Sequence, residues 1–251
     1  MKKFELTSEF VKNALGTKLF RIKALVKFGD VIAGELGGYV EKEENLAQDG
    51  DAWVYGGAEV YGNAVVYGNA QVCGGAEVYG NAVVYGNAQV CGGAVVCGDA
   101  EVYGNAQVCG GAEVYGNAVV CGGAEVYGNA VVCGGAEVYG NAVVCGDAVV
   151  CGDAEVYGNA EVCGDAEVCG DADYSTVKGF GRIFRTTTFF RKKDKDIGVS
   201  CGCFYGTLDE FRDKVRETHG ESKTAKEYLM LADLMEYKFS REMDVEEEVN
   251  Q

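Results

Sequence analysis

The stretch that decides the fold begins Val54-Tyr55-Gly56-Gly57-Ala58-Glu59. It continues to Ala172 as twenty hexapeptides of the form Val-[Tyr/Cys]-Gly-[Asn/Gly/Asp]-Ala-x, with no residue out of register. A unit this short cannot bury its apolar side chain alone and must stack on copies of itself. Strand alternation sends the valine inward, and the glycine accepts the positive φ of a corner. The repeat therefore predicts an all-β solenoid over residues 51–173.

The segment before the repeat is predicted to form a separate N-terminal β cap over residues 1–50. Its composition predicts two short strands, at Lys3–Thr7 and Lys18–Leu25, and an irregular stretch after them. The end of a solenoid exposes unpaired backbone groups and apolar core, so terminal units must differ from the repeat to prevent end-to-end stacking.

The segment after the repeat, residues 174–251, is predicted to form a small α+β domain of the order ββαα. Two strands are expected, at Phe184–Arg191 and Ile197–Cys203. The sequence Thr207-Leu208-Asp209-Glu210 is a capping box and starts a helix that ends at Gly220. A second helix is expected over residues 223–239, where apolar residues recur at helical spacing.

The repeat resembles the hexapeptide-repeat superfamily of left-handed parallel β-helices, whose units read aliphatic, x, x, x, small, x. The resemblance covers about half the chain and implies a left-handed, three-sided, 18-residue coil. Twenty hexapeptides then make about seven coils, a rod of roughly 32 Å at about 4.8 Å per strand spacing. The flanking sequences, Leu36-Gly37-Gly38-Tyr39-Val40 and Cys201-Gly202-Cys203-Phe204-Tyr205, resemble uncharacterised proteins of bacteriophages and prophages, which suggests a phage-encoded chain.

Catalysis is not expected on the basis of histidine content. Members of the superfamily include acyltransferases and a γ-class carbonic anhydrase, and both chemistries depend on histidine. This chain has one histidine, His219, which lies outside the repeat at the end of a predicted helix, where the helix dipole favours it. We therefore predict a protein that is not an enzyme, with no catalytic residue, cofactor or metal.

Ten of the twelve cysteines occupy the repeat position that tyrosine fills in the other ten hexapeptides. Side chains that interchange with tyrosine are not expected to be obligate disulfide partners, which favours a cytoplasmic protein. On a coil of three hexapeptides the thiols form two rows, Cys73–Cys91–Cys109 and Cys133–Cys151–Cys169. A straight row cannot surround a metal ion tetrahedrally, so packing is favoured over metal binding.

The outward positions of the rod are unusually apolar, and such patches usually contact a partner. We predict a homo-oligomer that associates through outward pairs of the repeat, and folding back of the C-terminal helices is the alternative. The candidate self-association residues are Val65, Tyr67, Val83, Tyr85, Val131 and Cys133.

Charge is uneven along the chain, whose formal net charge is −17. Residues 51–173 contain sixteen acidic residues and neither lysine nor arginine. Duplex DNA carries one charge per about 1.7 Å, so the rod has the charge density of a nucleic-acid mimic, with Glu113, Glu125 and Glu137 as the candidate surface. Solubility of a valine-rich rod is the alternative explanation. Direct binding of nucleic acid is not expected.

Basic residues follow the rod immediately, and Arg182, Arg185, Arg191 and Lys193 form a candidate anion-binding cluster for a phosphorylated ligand. Local pairing with the acidic last coil, which contains Asp165 and Asp173, is the alternative.

These observations predict a phage-type β-helix rod that acts as a self-assembling scaffold or protein-binding module in the cytoplasm of a bacterial host. A host protein is a possible partner, and no membrane span is expected. The second hypothesis is a counter-defence inhibitor that mimics nucleic acid along the acidic rod or sequesters a phosphorylated ligand at the basic hairpin.

Overall fold

The structure is a computed structural model that describes residues 2–181 and 184–248, with side chains described as far as Ser240. It confirms the predicted solenoid of about seven turns with N-terminal strands and a small C-terminal domain. Each repeat contributes a short strand that pairs in parallel with the strands one coil before and one coil after it. In chain order the strands of the cap and rod are β1 Phe4–Lys12, β2 Lys18–Ala24, β3 Leu36–Val40, β4 Trp53–Val54, β5 Glu59–Val60, β6 Val65–Val66, β7 Gln71–Val72, β8 Glu77–Val78, β9 Val83–Val84, β10 Gln89–Val90, β11 Val95–Val96, β12 Glu101–Val102, β13 Gln107–Val108, β14 Glu113–Val114, β15 Val119–Val120, β16 Glu125–Val126, β17 Val131–Val132, β18 Glu137–Val138, β19 Val143–Val144, β20 Val149–Val150, β21 Glu155–Val156, β22 Glu161–Val162 and β23 Glu167–Val168.

The rod has three faces because successive strands turn a corner after every hexapeptide. Face 1 is the ten-stranded sheet β1-β2-β3-β5-β8-β11-β14-β17-β20-β23, face 2 the six-stranded sheet β6-β9-β12-β15-β18-β21, and face 3 the seven-stranded sheet β4-β7-β10-β13-β16-β19-β22. The repeated valines and alanines are fully buried between the faces. The side-chain amides of corner asparagines form hydrogen-bonded rows along the edges of the rod. The Asn69 amide donates to Asn87 and the Asn87 amide to Asn105, both at 3.0 Å.

The N-terminal cap is continuous with the rod. The strands β1, β2 and β3 pair antiparallel in that order, and β3 then pairs in parallel with β5 of the first repeat. The boundary predicted at residue 50 therefore falls inside the first coil. Trp53 closes this end of the core and is fully buried, with its ring edge-on to Phe4 at 6.2 Å and to Phe28 at 5.3 Å.

The C-terminal domain contains four antiparallel strands and two helices. The strands are β24 Tyr174–Phe180, β25 Arg185–Arg191, β26 Ile197–Cys201 and β27 Phe204–Thr207, and the helices are α1 Leu208–His219 and α2 Lys223–Glu248. The predicted hairpin and both helices are confirmed, and the sheet has one extra strand at each edge. The strand β24 was missed because Gly179 and polar residues interrupt its pattern, and β27 because it runs directly into the capping box of α1.

The four-stranded sheet covers the last coils of the rod. Phe190 of β25 is fully buried and belongs to the same apolar core as the repeat valines. The Ser200 hydroxyl donates to the Glu161 carboxylate at 2.6 Å, and the Thr188 hydroxyl accepts from the Glu161 backbone N–H at 3.0 Å. The domain is therefore the C-terminal cap of the solenoid as well as a domain with a core of its own.

Candidate functional site

The candidate site is a pocket of about 370 Å³ in the C-terminal domain, between the edge of the sheet and the two helices. Its volume is within the range of small-molecule sites, which combine apolar walls with a few polar groups. The residues that line it are Arg185, Cys201, Cys203, Phe204, Phe211, Lys214, Val215, Thr218, His219 and Tyr228.

Aromatic rings build the apolar wall. The Phe211 ring lies 5.5 Å from the Phe204 ring and 5.8 Å from the Tyr228 ring, which it meets nearly at a right angle. Phe211 and Val215 are buried because they share the inward face of α1, as their positions one helical turn apart predict. This wall suits the apolar part of a ligand.

Two thiols lie on the sheet side of the pocket. Cys201 ends β26, is half-buried, and accepts a hydrogen bond from the Thr187 hydroxyl at 3.2 Å. Cys203 is exposed, because it lies with Gly202 in the tight turn between β26 and β27. The predicted strand through Cys203 therefore ends earlier than expected, and the turn presents the Cys203 thiol to solvent.

The single histidine of the chain also lines this pocket. His219 is the last residue of α1, as the sequence predicted, and its ring lies 6.0 Å from that of Tyr228. Burial and the Cys201 thiol raise the pKa of Tyr228, so its phenol stays protonated and able to donate. The position of His219 in a pocket was not predicted from the sequence, although Phe211, Val215 and His219 recur at the spacing of one helix face.

Arg185 supplies a positive charge at the pocket. Its guanidinium group lies against Gly202, where a side chain of any size would collide with it. Among the residues that the structure describes, no carboxylate forms an ion pair with Arg185. Lys214, by contrast, pairs with Glu217 at 2.7 Å. The planar guanidinium group of an arginine can donate two parallel hydrogen bonds to a carboxylate or phosphate group.

Two other residues of the predicted anion-binding cluster, Arg191 and Lys193, do not meet Arg185 at this pocket. Arg191 pairs with Asp173 at 3.3 Å, and the Lys193 ammonium donates to the Asp147 carbonyl at 2.9 Å. These contacts agree with the alternative of local pairing with the last coils. Arg182 lies outside the described residues.

The structure places the three glutamates of the predicted acidic surface on different faces. Glu113 is on face 1, Glu125 on face 3 and Glu137 on face 2. The reason is that successive members of this set are two hexapeptides apart, whereas one coil contains three. These side chains do not form one continuous surface.

The predicted self-association residues divide between two faces. Val65, Tyr67, Val83 and Tyr85 are together on face 2, whereas the Val131 and Cys133 pair belongs to face 1. The division follows from the coil period, since Val83 and Val131 are eight hexapeptides apart, which is not a whole number of coils. On face 2 the Tyr67 and Tyr85 rings are stacked at 4.9 Å.

Four repeat cysteines form disulfides, Cys145–Cys163 on face 3 and Cys151–Cys169 on face 1, which corrects the expectation that these positions are not disulfide partners. The geometry explains the difference, because the coil places the two members of each pair at Cα separations of 4.6 Å and 4.4 Å. Within the described part of the chain, no cluster of three or more histidine, cysteine or acidic side chains has the arrangement of a metal site.

Comparison with known proteins identifies a repeat family and a relative. Residues 58–74 and 76–92 match the model of a family described as the YdcK beta solenoid repeat. A relative named "Uncharacterized acetyltransferase YdcK", from Escherichia coli (strain K12), is 42% identical over 62 residues. The match covers 22% of this chain and 19% of the relative. The chain is thus a β-solenoid repeat protein related to that protein.

This relative corrects one prediction. The histidine argument predicted that the chain is not an enzyme, and that prediction is wrong, because the relative is named as an acetyltransferase. His219 lies outside the repeat, as the sequence shows, but it lies in a pocket of the C-terminal domain with two thiols and an arginine, which the histidine count did not predict.

Neither helix in the described ranges has the length and apolar content needed to cross a membrane.

Proposed function

We propose that this protein binds an acyl donor in the pocket of the C-terminal domain and transfers its acyl group. The observation that carries the proposal is the combination in one pocket of an aromatic wall, the side chains of His219 and Cys203, and Arg185 at its rim. The related protein's name supports an acetyl or other short acyl group. Such a group with part of its carrier suits the volume of the pocket, about 370 Å³.

The aromatic wall, Arg185 and His219 each have a role that fits their position. The ring of Phe211 and its neighbours contact the acyl chain and exclude water from it. Arg185 binds an anionic group of the carrier, because its planar guanidinium group can donate two parallel hydrogen bonds to a phosphate or carboxylate. His219 accepts the proton of the attacking hydroxyl or amine and returns a proton to the departing thiolate, so the acyl bond to sulfur breaks as the new one forms.

The test uses acetyl-coenzyme A as the probe and two readouts. Titration calorimetry measures binding, and the ultraviolet absorbance of the thioester measures acyl loss, since a thiol reagent would also report the protein's own cysteines. We expect Arg185→Gln to weaken binding about tenfold or more, the equivalent of one charged hydrogen bond. We expect His219→Asn to retain binding and to lose the acceleration of acyl loss.

The matched control is Arg216→Gln. Arg216 is an exposed arginine of α1 that pairs with Asp213 and does not line the pocket. This variant should bind like the wild type. Equal weakening by both arginine variants, or absence of binding to the wild-type protein, would contradict the proposal.

A second candidate function, self-assembly through face 2, is favoured by the row of stacked tyrosines. Tyr67, Tyr85 and Tyr103 stack at 4.9 and 4.8 Å, beside the outward valines Val65 and Val83. Tyr67 is 39% exposed, so the row presents aromatic surface to solvent. A second copy of the rod could cover this surface, with the tyrosine hydroxyls at its wet edge.

We expect Tyr85→Lys to dissociate such an assembly, because it places a charge at the centre of the apolar patch. Tyr127→Lys is the control, since Tyr127 is also 39% exposed but lies on face 3. Light scattering of the purified proteins at equal concentration measures the mass. A wild-type protein that remains monomeric would contradict self-assembly.

We propose further that the chain is phage-encoded and acts in the cytoplasm of a bacterial host. The resemblance of both flanking segments to phage and prophage proteins supports a phage-encoded chain. A bacterial cytoplasm would supply both acyl donors and host proteins as partners for it.

A further inference from the structure

Three cysteines on face 3 form a continuous row of thiols, Cys73, Cys91 and Cys109. They follow the strands β7, β10 and β13, which pair in register with one another. The Cys73 N–H donates to the Val90 carbonyl and the Cys91 N–H to the Val108 carbonyl, each at 2.9 Å. Each thiol therefore lies directly beside the next, one coil away.

The two disulfides of the rod have this same placement. The Cys145 backbone N–H donates to the Val162 carbonyl at 3.0 Å and the Cys151 backbone N–H to the Val168 carbonyl at 2.8 Å. These residues therefore have the same register as the row. Their Cα separations, 4.6 and 4.4 Å, lie within the range that disulfides span. Cys91 can consequently reach either Cys73 or Cys109.

Face 1 contains a row of three in which this bond is already formed. Cys133, Cys151 and Cys169 are also one coil apart from one another, and there the disulfide joins Cys151 to Cys169 while Cys133 is a free thiol. The arrangement is an oxidised counterpart of the row on face 3. It shows that a three-membered row accommodates one disulfide and one neighbouring thiol.

The central thiol differs from its two neighbours by its position. Cys91 has a thiol one coil away on either side, whereas Cys73 and Cys109 each have only Cys91. A mixed disulfide on Cys91 can therefore be resolved by either neighbour, which makes Cys91 the central residue of an exchange along the row.

We propose that the row Cys73–Cys91–Cys109 is a thiol–disulfide exchange site that takes a small-molecule disulfide as its co-reactant. The Cys91 thiolate attacks one sulfur of the disulfide, forms a mixed disulfide and releases the first small thiol. Cys73 or Cys109 then attacks the Cys91 sulfur and releases the second. One small disulfide is reduced to two thiols, and two protein thiols become one intrachain disulfide.

The third thiol gives the row a further property. When the disulfide joins Cys73 to Cys91, the Cys109 thiolate can attack the Cys91 sulfur and release Cys73. This exchange needs no added oxidant, because one disulfide is lost as another forms. The bond therefore moves along the rod by one coil.

The experiment treats the fully reduced wild-type protein with glutathione disulfide, blocks the remaining thiols and digests with a protease that cuts after glutamate. Cuts at Glu59, Glu77, Glu101 and Glu113 place Cys73, Cys91 and Cys109 in three different peptides. We expect mass spectrometry to find the Cys91 peptide joined to the Cys73 peptide in some molecules and to the Cys109 peptide in others, with no more than one of the two bonds in any row.

Two variants make the test specific. In Cys91→Ser the cross-linked peptides should disappear, and Cys73 and Cys109 should each carry glutathione, because they are two coils and roughly 10 Å apart. Cys97→Ser is the control, since Cys97 lies on face 1 between Tyr79 and Tyr115 and has no thiol one coil away. It should cross-link like the wild type, and circular dichroism checks that both variants are folded.

Separate mixed disulfides on all three residues of the wild-type protein, without an intrachain bond, would overturn the proposal. So would cross-linking of Cys73 to Cys109 at wild-type level in Cys91→Ser. The cross-linked peptides are measured without any acyl transfer. A negative result here would therefore leave the proposed function untouched.

Discussion

Replacement of Gly104 by alanine is expected to lower the free energy of unfolding by a few kcal/mol. Gly104 has φ +73°, which costs an L-residue about 1–2 kcal/mol. A Cβ atom there would also lie 2.9 Å from the backbone nitrogen and oxygen of Gly122 in the next coil. Forcing atoms into such a contact adds about 1–3 kcal/mol. Denaturant unfolding followed by circular dichroism measures the change.

Gly158→Ala is a matched control for this prediction. Gly158 has the same φ of +73° and the same local sequence, Val-Tyr-Gly-Asn-Ala, on the same corner of the rod. It follows β21, the last strand of face 2, so a Cβ atom would have no neighbour within 4 Å. The free energy of unfolding of this variant should fall only by the cost of the backbone conformation. Equal losses for the two variants would contradict close stacking of the coils.

Replacement of Trp53 by alanine is expected to have the largest effect, a loss of about 3–5 kcal/mol. Trp53 is fully buried at the junction of cap and rod, where its ring meets Phe4 and Phe28 edge-on. Alanine would remove both aromatic contacts and leave a cavity beneath the cap. Since this is the only tryptophan, unfolding should be followed by circular dichroism rather than fluorescence.

Trp53→Phe separates packing from polarity at this position. The Trp53 indole N–H is buried without a hydrogen-bond acceptor among the described residues, and an unsatisfied donor of this kind costs about 1–3 kcal/mol. Phenylalanine removes that donor and keeps most of the ring contact. The free energy of unfolding should fall less than half as far in Trp53→Phe as in Trp53→Ala. An equal loss of stability in Trp53→Phe and Trp53→Ala would show that the indole makes a stabilising contact other than those with Phe4 and Phe28.

The repeat made the rod predictable in detail. Because every hexapeptide has the same valine, glycine and alanine, one unit specifies the buried positions and corners of all twenty. The 18-residue coil could not be worked out from the period of six, and came from the resemblance. That number assigns residues to faces, but Glu113, Glu125 and Glu137 were grouped by their charge and not by the coil, and each lies on a different face.

The ends of the chain were less predictable because their structure depends on contacts between distant residues. The strand β3 joins the rod through pairing with β5, which no local pattern signals. The pocket likewise joins residues from β25, β26, β27, α1 and α2, and only the portion on α1 has a visible period. The disulfides were missed for a different reason: variation between cysteine and tyrosine along the row was taken as evidence against pairing, whereas pairing depends only on which two residues meet one coil apart.

The single histidine of the chain allows a direct test of whether the pocket around His219 binds an acyl donor. Protein labelled with ¹⁵N in histidine gives the signals of one imidazole ring, and acetyl-coenzyme A is added while they are recorded by NMR. We expect saturable shifts in the wild-type protein, and Arg185→Gln should need at least tenfold more ligand to reach the same shifts. Signals that stay unchanged at millimolar ligand would contradict it.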